Sequence, residues 1–300
     1  MKVFKKISPL QKYLQELRKK NKTIGFVPTM GALHEGHLSL IRRAREENDI
    51  VVVSIFVNPK QFGPSEDYLR YPRPFNRDKK LCIENKVDIL FAPPVEEMYP
   101  EGYLTYVDVE NLSEKLCGKF RKGHFRGVAT VVCKLFNIVG APTRAYFGKK
   151  DFQQLQIIRR MVRDLNFQID VVPCETVRDV DGLALSSRNT YLTPEERTRA
   201  LSISKALFEA KRLIVEEGVR DVKKILTRMK NIIKKSSPTK IDYIKLVDPE
   251  TLDDIKGELA APMSVLLAVA VWYGKARLID NILVSINDRE KIVSKVPRKA

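Results

Sequence analysis

Apolar residues fall along the first half of this chain in two alternating rhythms. Thr23 to Pro28 is an apolar run of strand length. From His37 to Glu47, Leu38, Ile41 and Ala44 recur three residues apart, the spacing of one buried helix face. Ile50 to Val57 returns to a short run rich in β-branched residues, which pack well on a pleated, buried surface. Strand, helix and strand in that order predict a βαβ unit of ordinary length. Further strands are expected at Asp88–Ala92, Arg144–Phe147 and Gln168–Val172, and helices at Gly127–Val139 and Asp151–Leu165. Such alternation predicts a parallel sheet with helices on both faces, because each parallel connection must cross over the sheet.

The rhythm changes after about Val177. Thr193-Pro194-Glu195-Glu196 reads as a helix start, with an N-cap hydroxyl, proline in the first position and acids in the first turn. A long basic helix is expected from there to about Glu217, and a second from Val219 to Lys235. Ser236–Thr239 interrupts the pattern, and strands are expected at Ile241–Val247 and Val265–Tyr273. The fold class is therefore α/β, a Rossmann-like parallel sheet with helices on both faces, followed by a smaller α+β C-terminal domain. The division is expected at residues 1–177 and 178–300.

Composition narrows the function classes. The chain has 300 residues with 44% hydrophobic content, enough for two domains with real cores. The longest apolar run, Ser264–Tyr273, is far short of the ~18–20 residues of a membrane span. The N-terminal MKVFKKISPLQKYL is basic and lacks the apolar stretch of a secretory signal. Cys82, Cys117, Cys133 and Cys174 are widely spaced with no CxxC pair, which argues against a zinc site and for reduced thiols in the cytosol. The net charge of +17 raises the question of nucleic acid. Its basic residues between Arg197 and Lys240 are interleaved with Leu, Ile and Val at helical spacing, the look of solvated helix faces.

Four segments carry candidate chemistry. Gly31-Ala-Leu-His34-Glu-Gly36-His37 lies between the first strand and the first helix, where open α/β sheets bind ligands and helix N-termini favour anions. Its glycines permit close backbone approach, and its histidines can donate to phosphate oxygens. Gly148-Lys149-Lys150-Asp151-Phe-Gln153-Gln154 again follows a strand and opens a helix. Lys150 supplies a point charge for a phosphate, and Asp151 either caps the helix or accepts from ribose hydroxyls. Gln154 lies about one turn beyond Asp151, so both can face one pocket. Leu185-Ser186-Ser187-Arg188 offers two hydroxyls and a guanidinium to a polyphosphate from a loop between the two expected domains. Asn58-Pro59-Lys60-Gln61 is a turn whose Gln61 amide can orient a small hydroxy acid. Pro64 to Asn76, rich in proline, is either a surface loop or a lid.

His34-Glu-Gly36-His37 resembles the HIGH signature of a nucleotidyltransferase superfamily that includes class I aminoacyl-tRNA synthetases. With PTMGALHEGH, SIFVNPKQFG, YPR, HFRGVATVV, YFGKKDFQQL and DGLALSSRNTYL in order, the chain from about Gly25 to Tyr191 resembles the pantothenate synthetase family more specifically. Weaker likeness continues at TPEER and AVWYGKARLIDNI. The resemblance implies ATP-dependent condensation of pantoate with β-alanine through a pantoyl-adenylate, with Mg2+ accompanying the nucleotide and a homodimeric assembly. It assigns ATP contacts to Met30, Gly31, Ala32, Leu33, His34, Glu35, Gly36, His37, Gly148, Lys149, Lys150, Asp151, Val177, Leu185, Ser186, Ser187 and Arg188. It assigns pantoate contacts to Gln61 and Gln154, with Pro28, Thr29 and Met30 lining the place where the substrates meet. His34, His37, Lys150, Ser186, Ser187 and Arg188 form the catalytic set, His37 being the family's proposed proton donor to the departing group. Arg126 is expected near the site and Asp78 near the metal, whose ligands are otherwise unassigned. Lys149, where many relatives carry Glu, is expected at the rim, short of the phosphates.

Two other readings compete. Another adenylyl-transferring enzyme of the superfamily would share the first motif but not the GKKDFQQ and LALSSRN pair. A basic RNA-binding protein would rest on the charge alone, since neither an aromatic-bearing RNA-recognition strand nor a basic stripe with interleaved aromatics is present.

Overall fold

The computed structural model describes residues 1–64, 66–140 and 142–287. Ser65 of the Pro64–Asn76 stretch and residues 288–300 of the expected second domain lie outside them. Six strands form the first sheet: β1 (Lys2–Phe4), β2 (Ile24–Thr29), β3 (Ile50–Ile55), β4 (Ile89–Phe91), β5 (Arg144–Gly148) and β6 (Asp170–Cys174). They are ordered β1-β4-β3-β2-β5-β6, and every neighbouring pair is parallel. The helices along this stretch are α1 (Ile7–Lys19), α2 (Glu35–Glu47), α3 (Phe75–Glu84), the short α4 (Val95–Met98), α5 (His124–Val139) and α6 (Phe152–Asp164). From β2 the chain builds outward through β3 to β4, then returns to place β5 and β6 on the other side of β2. The order reverses between β2 and β5, and the crevice outside their carboxyl ends is where such sheets bind ligands.

Period-two alternation divides the strands between two cores. Phe26, Val52, Ala145 and Phe147 face α1, α5 and α6. Val27, Val51, Val53 and Tyr146 face α2 and Cys82 of α3. The expected layers are thus present, with helices on both faces.

The remaining helices are α7 (Pro194–Ala200), α8 (Ser202–Val215) and α9 (Val222–Lys235), followed by an antiparallel sheet of β7 (Lys240–Val247), β8 (Met263–Tyr273) and β9 (Ala276–Ile286). On β8, Val265, Leu267, Val269 and Val271 pack with Leu207, Ile214, Ile225 and Met229 of α8 and α9. Leu266, Ala268 and Ala270 on the opposite face join the first sheet's core. The apolar run at Ser264–Tyr273 is continuous because this strand is covered on both faces.

The boundaries differ from expectation in several places. The long basic helix is two helices, broken at Leu201, whose amide reaches back only three residues to the Thr198 carbonyl. Thr193 caps α7 as expected, and the Glu196 carboxylate accepts from the Thr193 amide in return, completing a capping box. Helix α9 starts later than Val219, where the Asp221 side chain caps Lys224. Part of the basic excess is locally paired, Arg212 with Glu209 and Glu217, and Arg197 with Asp179 and Asp181.

Candidate functional site

The turn after β2 is shaped by a carboxylate. Gly31 lies at φ +79°, and a Cβ there would come within 2.9 Å of Asp78 Oδ2 and of Ile55 Cγ2. Asp78, on α3 and 1% exposed, accepts the Ala32 amide at 2.8 Å on Oδ2 and the Leu33 amide at 2.9 Å on Oδ1. Burial raises its pKa against the lowering effect of those amides. Asp78, expected near a metal, braces this turn through two adjacent backbone N–H groups, one on each oxygen. Leu33 is core, and Glu35 points outward to Arg42.

The braced turn delivers two histidines to the start of α2. His34 is the N-cap: its Nδ1 accepts from the Gly36 amide at 3.2 Å, while His37 Nδ1 accepts from the His34 amide at 3.3 Å. This is a capping box made with imidazoles. With both Nδ1 atoms accepting, each neutral ring carries its proton on Nε2. The rings are 4.1 Å apart, centroid to centroid. Burial, helped by Lys150, holds His34 down at about 4. Burial, helped by His34 and Lys150, holds His37 down at about 3. In the cleft as it stands, both are neutral Nε2–H donors at neutral pH.

The end of β5 faces this pair. Gly148, Lys150 and Asp151 line the cleft, with the Lys150 ammonium 3.7 Å from the Asp151 carboxylate. Lys149 turns away to Glu175 on the rim, as expected from its position. Asp151 precedes α6 but makes no side-chain cap, and its carboxylate lines the cleft beside Lys150. The glutamine pair divides its duties. Gln154 lines the cleft. Gln153 is buried, accepting from the Cys117 amide at 3.0 Å and donating to the Leu112 and Lys115 carbonyls at 2.8 and 2.7 Å.

Val177, Leu185, Ser186, Ser187 and Arg188 form the third wall. The Leu185 amide donates to the Val177 carbonyl at 3.0 Å, closing a small hairpin, and Ser186 Oγ caps the turn at Arg188. Arg188 is engaged: its guanidinium forms a bidentate pair with Asp67 at 3.0 and 2.9 Å. The neighbouring Glu66 takes Arg121 in the same way at 2.8 and 2.6 Å. The Pro64–Asn76 stretch is thus tied to two cleft arginines, and its end is the start of α3.

Arg121 and His124 belong to the site and escaped sequence reasoning. His124 Nδ1 donates to the Gln61 carbonyl at 2.7 Å, leaving Nε2 to accept from Arg121 at 2.9 Å. Burial, then the Arg121 charge, keeps this imidazole well below its ordinary pKa. The available signal was the chain's third histidine between two glycines in KGHFRG. Arg126, expected near the site, lies exposed with its guanidinium 4.3 Å from the Tyr106 ring centre. Two residues beyond His124, it is turned about 200° around the axis of α5 and so leaves the cleft face.

Gln61 is 7% exposed, its amide held by Asn58 at 3.0 Å and beside the Met30 sulfur at 3.1 Å. It borders an apolar wall of Leu40, Phe56, Val128 and Val131. The whole cleft measures about 230 Å³ and brings together Met30, His34, Gly36, His37, Gln61, Gly148, Lys150, Asp151, Gln154, Val177 and Leu185 to Arg188. Gly31, Ala32, Leu33, Glu35 and Lys149 are not on its wall. The arrangement can surround a polyphosphate with neutral N–H donors and an ammonium, and seat a small acid between two amides and an apolar surface.

Similarity to known proteins agrees with this geometry. A family model described as Pantoate-beta-alanine ligase matches residues 2–283. The chain is 56% identical over 284 residues to the pantothenate synthetase of Thermotoga petrophila, covering 95% of this chain and 100% of that one. It is 58% identical over 283 residues to that of a Sulfurihydrogenibium species, covering 94% and 99%. The crystal structure of pantothenate synthetase from Thermus thermophilus superposes with a TM-score of 0.88 at 48% identity, covering 94% of this chain and 99% of that one. That of the Francisella tularensis ligase, complexed with beta-gamma ATP and beta-alanine, has a TM-score of 0.78 at 37% identity, covering 94% and 97%.

Proposed function

This chain belongs to the pantoate-beta-alanine ligase family, and from that premise we propose how its cleft performs the reaction. The activity is the ATP-dependent joining of pantoate to β-alanine. In our reading it proceeds by two displacements. The pantoate carboxylate attacks the α-phosphorus, forming the mixed anhydride and releasing pyrophosphate. The β-alanine amine then attacks the acyl carbon, forming the amide, losing a proton and releasing AMP. Neither step needs a covalent enzyme nucleophile; both need positioning and charge neutralisation.

The observation that supports this most is the convergence of the His34 and His37 Nε2–H donors with Lys150 at the β2/β5 crevice. Those three groups would stabilise the charge that spreads over the phosphates, His37 as a neutral hydrogen-bond donor to the departing pyrophosphate. Ser186 and Ser187 would add hydroxyl donors, and Arg188 a cation once released from Asp67. Gln61 and Gln154 would hold the pantoate hydroxyls and carboxylate, with its geminal methyl groups against Leu40, Phe56 and Val128.

No cluster of three or more metal-ligating side chains occurs among the described residues. That donor set fits Mg2+ arriving with the nucleotide, held mainly by phosphate oxygens and water, with the Asp151 carboxylate within the cleft. The ion would screen the phosphate charge. No helix among the described residues is long and apolar enough to cross a membrane. We place the enzyme in the cytoplasm on its four free cysteines. We also propose two domains, 1–177 and 178–300, supported by the change from parallel to antiparallel sheet, and a homodimer on family likeness, which sedimentation would test.

The test is pyrophosphate release from ATP and Mg2+ with pantoate present. About one equivalent per site without β-alanine, and turnover only with it, is expected. Pyrophosphate release that requires β-alanine from the first turnover would overturn the adenylate order.

A further inference from the structure

The segment ARLIDNI opens β9 and carries two adjacent polar residues into the interior. Asp280 is 4% exposed and Asn281 8%. Buried polar groups are costly unless fully paired, so their partners indicate their use. On one face of the strand, Asp280 takes Arg178 in a bidentate pair at 2.6 and 2.9 Å. On the other, the Asn281 amide nitrogen donates to the Lys149 carbonyl at 3.0 Å and the Lys150 carbonyl at 2.7 Å. Both acceptors are carbonyl oxygens, so the NH2 group must face them.

Those two carbonyls belong to the turn that aims Lys150 into the cleft. Gly148, just before it, ends β5 paired with Cys174 and offers no side chain to hold the turn that follows. The second sheet supplies a side-chain restraint on that turn's carbonyls. We propose that Asn281 is a positioning residue for Lys150 in the pyrophosphate-releasing step, fixing the turn's peptide planes so that the ammonium meets the phosphates. This rests on the role proposed for Lys150. Asn281 itself reaches the backbone only and touches no substrate.

The test is a double-mutant cycle on pyrophosphate release from ATP and pantoate, run on the full chain. N281A is expected to lower the rate at saturating ATP about 10- to 100-fold, K150A about 100- to 1,000-fold, and the double variant no further than K150A alone. N281D keeps the shape but turns a carboxylate toward two carbonyls. It is expected to be slower than N281A at pH 8, and to recover relative to the unsubstituted chain as pH falls to 6, because the protonated acid regains one donor. A merely space-filling residue would show neither the ranking nor the recovery. N281D at the unsubstituted rate overturns the proposal, as does a double variant whose losses multiply. K150A at the unsubstituted rate overturns the role of Lys150, and the proposal with it, a result separable from multiplying losses.

Discussion

Replacing Gly127 by alanine tests how tightly the pantoate side of the cleft is built. Gly127 lies in the first turns of α5, where the helix passes under the Asn58–Gln61 turn. A Cβ there would lie 2.2 Å from the Lys60 carbonyl oxygen and 2.7 Å from Gln61 Cα. Ordinary contacts begin above about 3 Å, so the turn and helix must separate by about 1 Å. Two hydrogen bonds span that gap, Asn58 to the Gly127 carbonyl at 3.0 Å and His124 to the Gln61 carbonyl at 2.7 Å. Overpacking of this kind costs about 1–3 kcal/mol, and each stretched bond about 1 more. Helix propensity acts in the opposite direction, favouring Ala by about 1 kcal/mol. The expected net loss is about 3 kcal/mol, or some 6–12 °C in melting temperature. Because Gln61 moves with its turn, the pantoate KM should rise about tenfold or more while the ATP KM changes little. Thermal unfolding and pyrophosphate release with each substrate varied in turn measure both. G127A melting at or above the parent temperature, with an unchanged pantoate KM, would refute the close approach, since propensity alone predicts that result.

Three further outcomes are expected. K150A should lose about 10²–10³ in turnover with an unaltered melting temperature, and full turnover would remove it from the phosphate site. Gln154→Ala should raise the pantoate KM without destabilising, whereas Gln153→Ala should lower the melting temperature, at about 1–3 kcal/mol for each buried peptide group left unpaired; the reverse pattern would exchange their roles. Stability should be full above pH 6.5 and fall as pH drops from there toward about 4. Below 6.5 the unfolded histidines bind protons, while folded His34 and His37, held down at about 4 and 3, do not. Melting at pH 7.5 and pH 5 measures this, and H37N should flatten the slope; equal melting temperatures in the parent chain would contradict the buried neutral imidazoles.

Local chemistry made the first sheet and the cleft-lining motifs legible. Runs such as Ile50–Ile55 are buried on both faces and announce themselves, and Gly-rich turns between a strand and a helix mark a ligand crevice wherever they occur. Elements whose polar residues are buried, or whose apolar face is sparse, stayed hidden. Strand β9 reads poorly because Asp280 and Asn281 interrupt its alternation, yet both are interior and paired. Helix α1 shows only Leu10 and Leu14 fully buried among lysines, and half of α3 is charged.

The sequence by itself determined the α/β class and singled out the two histidines, Lys150 and the loop of Ser186 to Arg188, which line one cleft. Only the tertiary structure decided that Asp78 braces a turn, that Gln153 is structural and Gln154 is not, and that Arg121 and His124 enter the cleft while Arg126 leaves it. It also paired Arg188 with Asp67 and set Asn281 beneath the Lys150 turn. Residue type limits what a side chain can bind, but its partner comes from distant segments brought together by burial, and spacing along the chain holds no record of which of several chemically equal partners will be nearest.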